Sequence, residues 1–248
     1  QYYDLAADVL AENTHLTFKM LSQDLYEYLD ACIMVETSPA EAFRKFDDLT
    51  NKHIEGLRKL TKSIQDSRIS RDNEAIKGSL KKYDESLEAY IPVLMAQARI
   101  YWEREHYPKV EKIFRQSAEF CSEHDVWKLN VAHVFFMQEN KFKEAIHYYE
   151  PIINKHEHSI LDVTAIVLAN LCVSYIMTSQ NEKAEELMRR IEREEEQQGM
   201  SNPERACFHL CIVNLVIGTL YCAKGKFHGA TLGLAHGPDR ILRHGQRC

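Results

Sequence analysis

Cys207 and Cys211 stand four residues apart with His209 between them, and "HEH" occupies residues 156–158. Thiolate and imidazole are the ligands zinc takes, and residues four apart share one helix face. A structural zinc site needs four such donors, and no second tight pair completes a tetrahedral set at standard spacing, so the cysteines read as packing and no metal is expected. Nucleophile elbows, phosphate-cradling glycine loops and metalloprotease helices are missing from the sequence. The expectation is a chain with no catalytic residue and no cofactor, one that works by binding.

What must position a binding surface follows from composition and periodicity. The 248 residues are 45% hydrophobic and 27% charged, with a formal net charge of −6. That balance suits an ordered protein with no long-range attraction for nucleic acid or anionic lipid. The longest apolar stretch, "CFHLCIVNLVIGTLYCA", carries His209 and Asn214 and falls short of the roughly 20 apolar residues of a bilayer span. No membrane partner is expected. Seven cysteines without compact spacing read as reduced, intracellular thiols. The chain starts at Gln1 without a methionine or a secretory signal and reads as helix from Tyr2, which suggests a piece of something longer. Nine glycines, six prolines and few windows of period two predict an all-α fold.

Four sets of residues share the same internal offsets: Ala98, Tyr101, Tyr107, Val110; His133, Phe136, Phe142, Ala145; Cys172, Tyr175, Asn181, Ala184; Gly218, Tyr221, Phe227, Ala230. Successive sets advance by 35, 39 and 46 residues, against about 34 for a tetratricopeptide repeat. Two short antiparallel helices approach closely only where a small side chain sits at the crossing, and an aromatic one turn later fills the adjacent gap. His133, Val110 and Asn181 break the columns. Val110–Phe114, Ala145–Tyr149 and Ala184–Met188 continue the pattern on the second helices. The predicted architecture is a tetratricopeptide-repeat α-solenoid of antiparallel helix pairs over residues 1–228, with repeats near 91–124, 126–159, 165–198 and 211–228.

Residues 39–90 lack those columns. "SPAE" predicts a helix start, with Ser38 capping, Pro39 at the first position and Glu41 completing a capping box. Phe46, Leu49, His53, Leu57, Leu60 and Ile64 form one apolar stripe, and "DSRISRDN" is expected to interrupt it. A second stripe through Ile76, Leu80, Tyr83, Leu87 and Tyr90 is expected to end at Pro92. The two stripes predict a long-helix insertion. Pro151 is expected to kink its helix. "EKAEELMRRIEREEEQQ" reads as a solvated face, with Glu185 pairing Arg189 and Glu186 pairing Arg190.

Counting from the columns, the inner groove is predicted at Met95, Arg99, Trp102, Trp127, Asn130, Val134, Met137, Ile166, Ala169, Val173, Ile176, Ile212 and Leu215, continuing to Thr219 and Cys222. An apolar groove with aromatics suits an extended, proline-bearing peptide, which loses little entropy on docking. Trp102 and Trp127 are the expected anchors, and a third to a half of the set is expected to be core between repeats.

"YIPVLMAQARIYWEREHYPKVEKIFRQSAEFC", "HDVWKLNVAHVFFMQENKFKEAI" and "AIVLANLCVSYIMTSQNEKAEELMRRIE" resemble the fleer-type tetratricopeptide subunits of the intraflagellar transport B complex, the tetratricopeptide repeat protein 30 family. The resemblance covers roughly residues 1–228. It implies a non-enzymatic scaffold winding around an extended, proline-rich segment of a companion subunit, beside other complex B subunits and kinesin-linked transport machinery. It further implies a place at the cilium, its axoneme and base, and in the cytoplasm, with roles in anterograde transport, cilium assembly and polyglutamylation of axonemal tubulin. Tubulin modification reads as recruitment or delivery, because nucleotide-binding elements of a ligase are missing. Chaperone-tail receptors of this repeat class resemble one another in a lysine-and-asparagine clamp; here Asn130 is followed one turn later by Val134, so that alternative is disfavoured.

After Phe227 the resemblance ends. Residues 228–248 hold Gly229, Gly233, Gly237, Gly245 and Pro238, which predicts an irregular tail over 229–248, an alternative end that leaves the last repeat with its first helix only. A solenoid ending there lacks a polar cap, so Leu215, Ile217 and Leu220 are expected to be partly uncovered and to promote self-association.

Overall fold

The computed structural model describes residues 2–156, 159–201 and 208–223. Among these residues the fold is all-α and contains no strand. The helices are α1 (Tyr3–Glu12), α2 (Thr14–Met20), α3 (Gln23–Thr37), α4 (Pro39–Ser70), α5 (Asn73–Trp102), α6 (Tyr107–Cys121), α7 (Asp125–Phe136), α8 (Phe142–Asn154), α9 (Ala165–Met177), α10 (Asn181–Ser201) and α11 (His209–Ala223), with a 3-10 turn at Ile160–Asp162. No helix among them is long and apolar enough to cross a membrane. The chain divides into two compact units, Gln1–Trp127 and Lys128–Cys248.

The first unit is organised by α4 and α5. Phe43 meets Tyr101 edge-on, Thr50 Oγ1 donates to Gln97 Oε1, His53 stacks on Tyr90, and Ser63 bonds Ser79. Partner numbers fall as residue numbers rise, so the two helices run antiparallel. The α4 stripe faces this seam: Phe46, Leu49, Leu57 and Ile64 are buried, His53 and Leu60 half-buried.

One expectation holds and two are corrected here. The α4 helix ends at Ser70, within "DSRISRDN", as expected. It ends in a turn where Arg71 takes φ 56° and the Asp72 N–H donates to the Ser67 carbonyl at 3.1 Å. Asp72 then caps α5, its carboxylate accepting from the Ala75 N–H at 3.0 Å. Pro92 does not end α5, which continues to Trp102. The proline is exposed while Tyr90, Ile91, Val93 and Leu94 are buried around it, and packing on that face outweighs one lost backbone hydrogen bond. Ser38 makes no side-chain cap. It ends α3 as well as opening α4, its N–H donating to Met34 and its carbonyl accepting from Glu41 and Ala42, so its backbone is set by two abutting helices.

In the second unit, α9 is the central element. Every residue from Val167 to Tyr175 is buried, the mark of a helix enclosed on all sides. Ala145, Tyr149 and Ile153 of α8, Ala184, Leu187 and Ile191 of α10, and Val213 and Ile217 of α11 belong to the same core. The α8 helix continues past Pro151 to Asn154. On α10, Glu185 pairs Arg189 at 2.9 Å, whereas Glu186 pairs Arg193 at 3.1 Å and Arg190 reaches the His156 carbonyl at 2.9 Å.

The recurring columns acquire physical roles. Ala98 and Cys172 are buried at the first position, and Val110, Ala145 and Ala184 at the last. Phe136 and Phe142 meet edge-on at 5.8 Å across their turn. The aromatic position also supplies a backbone acceptor: the His106 N–H donates to the Tyr101 carbonyl and the Gln180 N–H to the Tyr175 carbonyl. Glu105 (φ 58°) and Ser179 (φ 61°) stand in the left-handed conformation between them, completing Schellman helix ends. Among the described residues nothing lies within 4 Å of a Cβ built at Gly218, and the second helix expected to cross there falls outside the described residues. Phe227, Ala230 and the tail 229–248 lie outside the described residues.

Candidate binding surface

The α9 helix decides which predicted groove residues reach solvent. Ala169 and Val173 lie within its buried run, leaving Ile166, 50% exposed, and half-buried Ile176 near its ends. On α7, Val134 is buried, Asn130 is half-buried and Met137, just past the helix, is exposed. Ile212 and Leu215 on α11 are exposed, as are Thr219 and Cys222. In the first unit, Met95, Arg99 and Trp102 lie along one face of α5, with Arg99 exposed and the other two half-buried; Trp102 packs edge-on against Tyr107 at 5.2 Å.

Trp127 occupies a different environment from that expected of an anchor. It is 4% exposed, its ring meets Phe114 edge-on at 6.1 Å, and its indole N–H donates to Ser117 Oγ at 2.8 Å. A buried indole whose polar atom is satisfied is packed onto α6. Trp127, Val134, Ala169 and Val173 are therefore core side chains; the remaining predicted residues line the surface or its edge.

His133, which breaks the small-residue column, is explained by its neighbours. Its Nδ1 lies 2.6 Å from the Tyr149 hydroxyl and 3.4 Å from Asn170 Nδ2, and that amide also donates to the Tyr149 oxygen at 3.2 Å. Two donors converge on Nδ1, which places the imidazole proton on Nε2. Burial holds His133 below the ordinary imidazole range and pushes the Tyr149 phenol up. Sequence reasoning treated His133 as an exception; the signal was a polar residue in a column of small ones.

A second feature escaped the sequence reading. A cleft of about 570 Å³ between α3 and α4 is lined by Glu27, Asp30, Lys45, Asp48, Lys52 and Glu55. Lys52 bonds Glu27 at 2.5 Å and Lys45 bonds Asp30. The Lys52 contact, with Gln23 behind it, lowers the Glu27 pKa, and the Asp30 bond raises that of Lys45. Alternating charges along 45–55 were the available signal. Two ion pairs cross the cleft, and Asp48 and Glu55 add two further carboxylates to its lining.

Thiol and metal chemistry find little to build on. Burial pushes the Cys121 and Cys172 thiols up to about 12, so both stay protonated and unreactive at neutral pH. His209 Nε2 lies 3.1 Å from the Val163 carbonyl, and Cys211 is exposed. Among the described residues no group of three or more His, Cys, Asp or Glu could hold a metal; Cys207, Glu157 and His158 lie outside them.

A family model described as the intraflagellar transport protein 70 C-terminal domain matches residues 1–236, reaching past Phe227. Intraflagellar transport protein 70A of Danio rerio is 67% identical over 227 residues, covering 92% of this chain and 35% of its own length. The Homo sapiens protein of that name is 66% identical over 227 residues, with 92% and 34% covered. Intraflagellar transport protein 70B of Mus musculus is 67% identical over 227 residues, with the same coverage of 92% and 34%. The chain spans about a third of the length of these curated relatives.

Proposed function

This chain belongs to the intraflagellar transport protein 70 family, and from that premise we propose that it is a non-enzymatic binding subunit of the intraflagellar transport B complex, holding an extended, proline-rich segment of a companion subunit. The observation that carries this reading is the two-thirds identity, over nearly the whole chain, to proteins named for intraflagellar transport. Supporting it, Met137, Ile166, Ile212 and Leu215 in the second unit offer exposed apolar side chains, and Trp102 in the first unit offers an aromatic face beside Arg99. Such surfaces hold polyproline segments through ring and apolar contacts. In this reading the protein acts at the cilium, among other complex B subunits and kinesin-linked transport machinery, in anterograde transport and cilium assembly. Its part in axonemal tubulin polyglutamylation is recruitment or delivery.

The test is co-purification of the 248-residue chain with the companion's proline-rich segment, immobilised as a synthetic peptide. Retention of the wild type is expected, with a loss of about tenfold or more in affinity for a Trp102→Ala, Ile166→Ala variant whose helicity is unchanged. No retention of the wild type, or retention that the variant leaves intact, refutes the reading.

A further inference from the structure

Residues 59–82, the half of the α4–α5 pair that carries its connecting turn, hold seven Lys or Arg against three Asp or Glu. That is a net +4 in a chain of −6, which leaves −10 on the rest. The pair meets α3 and α6 nearer its base, through Lys52 with Glu27, Arg58 with Glu119 and Glu88 with His124. Beyond that base all seven cations are exposed. Lys77 and Lys81 pair along α5 with Glu74 and Glu85, whereas Lys59, Lys62, Arg68, Arg71 and Lys82 make no ion pair among the described residues. Arg58 and Lys59 also stand three and four residues before Lys62, the spacing at which like charges on a helix repel. On α10, by contrast, opposite signs meet at that spacing, as in Glu185 with Arg189. Arg71 takes φ 56° at the apex, a conformation that glycine or asparagine holds without strain; the residue there is a cation.

We propose that this end of the hairpin docks an extended acidic segment, rich in Asp or Glu, of another protein. The site centres on the contact of 3.3 Å between the Ser63 and Ser79 hydroxyls. Lys59 lies one turn before Ser63 and Lys82 one turn after Ser79; because α4 and α5 are antiparallel, both lysines stand on the serines' side and at nearly one level. Carboxylates laid across the pair meet an ammonium on each helix, and the serine that accepts in the contact keeps its own hydroxyl proton to donate. Arg71 supplies a third cation at the apex. Bound acid also relieves the repulsion among the unpaired lysines. A nucleic acid fits this end less well, because residues 59–81 and Lys82 include no Phe, Tyr or Trp to stack a base. A long polyanion running past the hairpin would meet the −10 of the remaining chain. A membrane fits less well too, since an interfacial anchor needs a broad apolar face, and here Ile64 is buried and Leu60 and Ile76 are half-buried in the seam. A short acidic segment touches the basic end alone. The inference stands independently of the proposed transport partner, whose contacts are apolar.

Fluorescence anisotropy of labelled deca-glutamate titrated with the 248-residue chain tests this. Half-saturation is expected at roughly 10–100 µM protein in about 50 mM salt, weakening about fivefold or more at about 300 mM as the pairs are screened. A variant carrying Lys59→Gln, Arg71→Asn and Lys82→Gln loses three cations while asparagine keeps the left-handed turn. It should bind about tenfold more weakly or worse, with far-UV circular dichroism unchanged because all three residues are exposed. A control carrying Lys19→Gln, Lys112→Gln and Lys143→Gln loses the same charge at exposed positions elsewhere and should change binding less than about twofold. No binding of deca-glutamate by about 1 mM, or an equal loss in the two triple variants, overturns the proposal. So does tighter binding of an oligothymidylate of equal length, or of phosphatidylserine vesicles, that the first variant abolishes, since this end would then be a phosphate site.

Discussion

Tyr149→Phe tests the role assigned to the polar group that replaces a small residue at His133. The ring of Tyr149 is fully buried and phenylalanine keeps it, so the substitution removes only the hydroxyl. Two hydrogen bonds disappear, at 2.6 Å to His133 Nδ1 and 3.2 Å from Asn170 Nδ2, each worth about 1 kcal/mol net. His133 Nδ1 then keeps only the 3.4 Å contact from Asn170, so part of its desolvation cost goes uncompensated. The expected loss is about 2–3 kcal/mol of stability, or a fall of roughly 5–10 °C in Tm for a chain of this size. Urea unfolding followed by circular dichroism measures it, and Asn170→Ala combined with Tyr149→Phe closes a double-mutant cycle. Coupling of about 1 kcal/mol is expected because the two side chains share a partner. A loss below about 0.5 kcal/mol, or strict additivity, would show that the three groups do not act as a unit.

Ser179→Gly and Glu105→Gly relieve left-handed backbone at two helix ends, and each should stabilise by about 0.5–1 kcal/mol in the same titration; destabilisation would refute the Schellman assignment. Gly56→Ala and Gly78→Ala lie mid-helix with open space at the Cβ and should each add roughly 0.5–1 kcal/mol; a lower urea midpoint would mean the space is filled. Stability should fall as pH drops below neutrality. Burial lowers the pKa of His53 and His133 from 6.5, so between that value and their folded values the unfolded chain binds protons the folded chain refuses. The stabilisation is present above pH 6.5 and lost as pH falls through the folded values, at up to about 1.4 kcal/mol per pH unit for each group. Urea midpoints at pH 7.5 and 5.5 check it, and His53→Gln should flatten the dependence; an unchanged or higher midpoint at pH 5.5 is the contrary result.

Periodicity reported well on what packing repeats. The α4 stripe and the buried Val110, Ala145 and Ala184 could be read from offsets because each obeys the rise and turn of a helix. Local signals misled where tertiary contacts outweighed them. Pro92 carries a strong breaker signal, yet buried residues on both sides hold α5 together. Ser38 has the sequence of a cap, but two helices abutting at that residue leave its side chain without that role. Which groove residues face solvent was hidden for a related reason: column offsets give a residue's place on its own helix, while exposure depends on how many neighbours enclose the helix. Trp127 shows the difference, since an aromatic at a groove position is here the one that packs against Phe114 of α6.

That distinction governs which predicted groove residues of the second unit reach solvent. A helix enclosed on every side contributes to a surface only through its ends, and α9 does so with Ile166 and Ile176. The α11 helix packs through one face and leaves the other exposed, including Ile212 and Leu215. Among the predicted groove residues of the second unit the exposed apolar side chains are Met137, Ile166, Ile212 and Leu215, and substitutions at Ala169 or Val173 would act on stability through the core.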